Sequence, residues 1–144
     1  MYGEDPYIVH LDLVVAKLAE YGFNDQTWVD AAYGHDLFDD TTADPYRYAV
    51  LFGATASVIA LAVQSRGPNR KTRNEIVYKQ LLEWPRDDAH HPAILKVADR
   101  IVNSSRGGLV GMYRKEMPGF THNLKHLVPA AMWAELEANL GTQA

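Results

Sequence analysis

The sequence predicts an all-α fold, and three observations carry that expectation. Apolar residues recur three and four positions apart through most of the chain. No stretch alternates apolar and polar side chains as a half-buried strand would. Pro, Gly, Asn and Asp punctuate the periodic runs where helices begin and end. A single domain covering residues 1–144 is expected, because that length suits one core and no repeat or low-complexity tract divides it. With 47% apolar and 22% charged residues, the composition is that of a globular protein.

After a polar lead-in, Tyr7 to Tyr21 reads as the first helix. His10, Val14 and Leu18 form one stripe with Leu11 and Val15 beside it, and Gly22 closes it. His10 thereby faces inward, where a lone histidine is more often a hydrogen-bonded core residue than a ligand. Asn24 or Asp25 can cap a second helix whose buried face is Trp28, Val29, Ala31 and Ala32, running into His35-Asp36. Pro45 suits the first position of a short helix over Tyr46 to Phe52, ended or bent at Gly53. Ala54 to Gln64 is almost wholly apolar (Val58, Ile59, Leu61, Ala62, Val63) and reads as a buried central helix.

Ser65-Arg66-Gly67-Pro68 breaks the chain, and a helix then opens at Asn69 and continues through Ile76, Tyr78, Leu81 and Leu82. Pro85 to His91 is a polar loop, with His90-His91 as loop residues, and Pro92 starts a helix built on Ile94, Leu95, Val97, Ala98, Ile101 and Val102. Ser104 to Gly108 is a loop. Leu109 to Glu116 is a short helix stopped at Pro118-Gly119. Met132 to Leu140 is an amphipathic closing helix with Trp133 and Leu136 inward, stopped by Gly141.

Charge and composition exclude several classes. A net charge of −4 argues against wholesale nucleic-acid binding. The absence of cysteine rules out disulfides, thiolate metal sites and cysteine nucleophiles. No apolar run approaches the roughly 20 residues that cross a bilayer, and no signal peptide opens the sequence, so a cytoplasmic protein without a membrane partner is expected.

The residues that can carry chemistry are few. His35, Asp36, Asp39 and Asp40 crowd onto one short segment; in helical geometry His35 and Asp39 share a face, as do Asp36 and Asp40, and like charges so placed repel unless a cation or protons hold them. The alternative is an acidic helix end facing water. Asp99 lies one turn from both Leu95 and Val102, on the inward side, where a carboxylate needs a basic partner or a metal. Asn103 follows it by one turn. Arg70, Lys71 and Arg73 at a helix start oppose the macrodipole unless they meet an anion, or are simply solvated. His122 and His126 have a metal-compatible spacing but no nearby carboxylate, and read as a solvent-facing pair. His10, His35-Asp36 and Asp99 together form a mixed nitrogen and oxygen set from three helices, suited to Mn²⁺, Fe²⁺ or Zn²⁺ with positions left open.

This order, H…HD…D across an all-helical domain, resembles the HD superfamily of metal-dependent phosphohydrolases. It is closest to the RelA/SpoT-type hydrolase domain and the free-standing small alarmone hydrolases. Pro6-Tyr7-Ile8-Val9-His10 is similar to that family's PYxxHP, His35-Asp36-Leu37-Phe38-Asp39-Asp40-Thr41 to its HDxxEDT, and Lys96-Val97-Ala98-Asp99-Arg100-Ile101-Val102-Asn103 to its KLADRLxN. The resemblance runs from Pro6 to about Asn103. It departs at Leu11, where the family has proline, and at Asp39, where it has glutamate. The helix and basic residues that precede the first motif in the family have no counterpart in this sequence.

The resemblance implies an HD-domain helical bundle. His10, His35, Asp36 and Asp99 would hold a metal, Mn²⁺ in this branch, with Fe²⁺, Zn²⁺ or Mg²⁺ as other divalent occupants. Asp39 and Asp40 would orient or deprotonate the attacking water. Asn103 would lie near the nucleoside, and Arg70 or Lys71 would meet phosphate. The expected function is a nucleotide phosphohydrolase that removes the 3′-pyrophosphate of guanosine alarmones, a stringent-response chemistry. The alternatives are an HD-type nucleotidase or deoxynucleotide triphosphohydrolase, or a catalytically silent nucleotide-binding HD module. The expected partner is a small nucleotide, and the oligomeric state stays open.

Overall fold

The computed structural model describes residues 7–35, 49–50, 53–65, 67–107 and 109–141. Among them the fold is all-α. The helices are α1 (Tyr7–Glu20), α2 (Gln26–Gly34), α3 (Ala54–Ala62), α4 (Arg70–Glu83), α5 (Pro92–Ser105), α6 (Val110–Leu124) and α7 (Ala130–Leu140), with a 3₁₀ turn at Lys125–Leu127. The segment expected to hold the helix over Tyr46 to Phe52 lies largely outside the described residues.

The core is organised around α5. Eleven of its residues are buried, including Ile94, Leu95, Val97, Ala98, Ile101 and Val102, and it packs against α1, α2, α3, α6 and α7. α1 presents His10, Leu11, Val14 and Leu18 to this core, and α2 presents Trp28, Ala31 and Ala32, with Val29 only partly covered. That is the stripe the periodicity predicts.

The expectation of a central helix over Ala54 to Gln64 is corrected. Ile59, Ala60 and Ala62 of α3 are buried, but Val58 is 49% and Leu61 37% exposed. A run of small and branched apolar residues has no strong facing preference, so its composition did not say how many neighbours would surround it. In α4 the buried positions are Val77 and Leu81, while Ile76 and Leu82 are exposed.

Two boundaries also move. The helix expected to stop at Pro118-Gly119 continues as α6 to Leu124, with Pro118 inside it. An interior proline costs about 3 kcal/mol and a glycine about 1 kcal/mol. Met117, Phe120 and Leu124 are buried on that same helix. At about 1.5–3 kcal/mol for each apolar side chain buried, packing outweighs the break. Phe120 also stacks on Trp133 of α7, with ring centroids 5.7 Å apart. At the other boundary, α5 runs through Ser104 into Ser105 before turning at Gly107.

The caps are local chemistry. Asp25 accepts the Trp28 amide at the start of α2 and also bonds His90 at 2.7 Å. Buried His91 accepts the Ala93 amide at the start of α5, so His90 and His91 brace the starts of the two helices that carry His35 and Asp99. At the far end, Glu135 of α7 takes hydrogen bonds from Lys17 and Tyr21, tying α7 to the end of α1.

Candidate metal centre

Three helices bring His10, His35 and Asp99 together. His10 comes from the buried stripe of α1, His35 from the residue that ends α2, and Asp99 from the middle of α5. His10 and His35 are buried, and the Asp99 side chain keeps 21% exposure, so one edge of the cluster is open. The Nε2 atoms of both imidazoles lie against the same carboxylate oxygen, at 2.8 Å for His10 and 3.2 Å for His35.

The orientation of His35 is decisive. Its Nδ1 donates to the Ala32 carbonyl at 2.6 Å, which assigns the ring proton to Nδ1 and turns the Nε2 lone pair toward Asp99. A neutral imidazole and a carboxylate so placed are two acceptors face to face; a second ring proton or a cation must lie between them. A histidine that ligates a metal commonly donates its other ring N–H to a backbone carbonyl, which fixes the tautomer. The separations suit the same occupant. Ligands about 2.0–2.2 Å from one ion, at right angles to each other, are themselves roughly 3 Å apart. Burial disfavours the charge on Asp99, but hydrogen bonds and positive charge from His10 and His35 outweigh it and hold the carboxyl well below the usual carboxylate range.

The backbone beneath His35 is also held. Gln64 donates to the His35 carbonyl and, at 3.0 Å, to the Ala60 carbonyl. Gln80 in turn donates to the Ala62 and Gln64 carbonyls at 2.9 and 3.1 Å. These two glutamines link α4, the end of α3 and the end of α2. Sequence reasoning passed over them, since neither carries a local signal for a contact 29 and 16 residues away.

Of the other residues singled out, Asp36, Asp39 and Asp40 lie outside the described residues. Asn103 is buried beside Asp99 on the same face of α5, donating to Asp99 Oδ2 at 3.4 Å and to the Tyr113 hydroxyl at 3.0 Å. Arg70 is engaged by Glu116 of α6 through two bonds, while Lys71 is exposed in the first turn of α4, a helix that packs on α6 and α3. His122 and His126 are both exposed, and only His10, His35 and Asp99 form a metal-competent group among the described residues. No described helix is long and apolar enough to cross a membrane.

Compared with models of known protein families and with curated proteins, the chain matches none.

Proposed function

We propose that this protein is a divalent-metal-dependent phosphohydrolase acting on a nucleotide in the cytoplasm, with the 3′-pyrophosphate of a guanosine alarmone as the substrate bond. The observation that supports the reading is the convergence of His10, His35 and Asp99 with the His35 lone pair turned inward by Ala32. The donor set fits Mn²⁺, Fe²⁺ or Zn²⁺: two imidazole nitrogens and a carboxylate brought together by three helices, with one edge open. On the sequence resemblance, Asp36 completes that set and Asp39 and Asp40 take the proton of the attacking water. When bound, such an ion lowers the pKa of water and polarises a phosphoryl oxygen.

The test is turnover of a nucleotide panel, alarmones included, by metal-stripped protein with and without added Mn²⁺. Expected are Mn²⁺-dependent release of pyrophosphate from the 3′ position and its loss in His35→Ala and Asp99→Asn, by a factor on the order of a thousand for a required ligand. Release of nucleoside with phosphate or triphosphate assigns the nucleotidase or triphosphohydrolase chemistry instead. Unchanged turnover in metal-stripped Asp99→Asn protein would overturn the metal reading.

A further inference from the structure

The family resemblance gives Asn103 to the nucleoside, but the structure gives its amide another use. Asn103 is 8% exposed, and its Nδ2 group donates to two protein acceptors, Asp99 Oδ2 and the Tyr113 hydroxyl. We propose that Asn103 and Tyr113 form a brace that positions Asp99 for the metal, an inference that rests on the metal reading above. The two carboxylate oxygens of Asp99 divide their work. Oδ1 faces His10 and His35, while Oδ2 is held by Asn103.

A carboxylate turns easily about its last torsion, because that rotation has broad, shallow wells. An i, i+4 donor on the same helix limits the turn, since Asp99 and Asn103 are neighbours on one face of α5. A lone asparagine would itself be free to swing; Tyr113 stops it. Tyr113 is fixed in turn by the Arg100 guanidinium, which lies 4.3 Å above its ring and 3.9 Å above the Phe120 ring and pairs with Glu116 at 3.2 Å. The brace thus has a rigid foot in the core. A nucleoside contact to the Asn103 N–H groups would have to break one of these two bonds, so Asn103 acts through Asp99 and is a positioning residue.

The experiment is calorimetric titration of Mn²⁺ and of Zn²⁺ into metal-stripped wild type, Asn103→Leu and Tyr113→Phe, with helical circular dichroism as a check on folding. Asn103→Leu keeps the heavy-atom branching and removes the donor; a 10- to 100-fold weaker metal Kd is expected, roughly the cost of removing an outer partner of a ligand. Tyr113→Phe keeps the ring and removes one neutral hydrogen bond, so about a two- to tenfold weakening is expected. It also serves as the second test should Asn103→Leu fail to fold. Wild type that binds neither ion overturns the metal reading itself, and the brace with it. Wild type that binds, with undiminished metal affinity in both variants, overturns the brace alone. A higher KM for nucleotide at unchanged metal Kd would return Asn103 to the substrate.

Discussion

Asp99 and Arg100 are neighbours in sequence, yet one step of about 100° around α5 sends them into two different buried clusters. Arg100 faces Glu116, which also accepts from Arg70 and Asn74, and its guanidinium lies over two aromatic rings. There the anion is answered by cations and amides supplied by the protein. Asp99 faces two imidazoles, one of them turned so that its lone pair meets the carboxylate. There the charge opposite the carboxylate comes from imidazoles, which carry it only when protonated. A buried charge that fixed cations neutralise holds helices in place, whereas a carboxylate paired with titratable imidazoles can exchange their protons for a divalent ion, the role proposed above for Asp99.

The largest expected effect tests the first half of that contrast. Glu116→Gln leaves Arg100, 3% exposed, without its carboxylate; removing one partner of a buried pair costs about 3–5 kcal/mol, discounted here toward the lower end because Arg70 is partly solvated. Urea unfolding should give a loss of about 3 kcal/mol, with metal Kd within about threefold of wild type. A loss of metal affinity as large as that of Asn103→Leu would mean that the clusters act as one unit through Tyr113, and the contrast would fail.

The acid limb sharpens the same point. Burial works against the charge on Glu116, but the bond from Arg70, the charge of Arg100 and the bond from Asn74 outweigh it and hold its carboxyl below the ordinary value of 4.5. A depressed folded-state pKa stabilises the protein above the unfolded value, and the contribution is lost as pH falls through the lower folded value. Stability measured from neutral pH downward should therefore start to fall near the ordinary glutamate pKa. Glu116→Gln should flatten that part of the decline, and an identical acid slope in the two proteins would remove Glu116 from the account.

Periodicity made much of this legible in the sequence. It turned His10 inward and marked Asp99 as a carboxylate on an apolar face, because both facts depend only on a 3.6-residue repeat. Which helix lies at the centre was not legible: α3 is the more uniformly apolar, while α5 is the one surrounded, and that is decided by neighbours far along the chain. Pro118 misled for the same reason, since the packing that outweighs it comes from α4, α5 and α7. Gln64, Gln80, Tyr113 and Glu116 were missed because a polar residue shows its role only when its distant partner is known.

The smallest prediction tests the piece of chain that joins the two clusters. Leu109 is the N-cap of α6, the helix that carries both Tyr113 and Glu116, and it sits at φ +60°, the left-handed region. A side chain bearing Cβ there costs about 1–2 kcal/mol, and at 56% exposure Leu109 recovers little of that by burial. Glycine removes the clash but costs roughly 0.5–1 kcal/mol of additional chain entropy. The difference predicts that Leu109→Gly gains about 0.5 kcal/mol in urea unfolding. Because the change relieves the start of α6 without touching Asn103, Tyr113 or Glu116, metal Kd should not move. If affinity improves along with stability, the start of α6 governs how firmly Tyr113 holds the brace, and the two clusters are coupled through that helix.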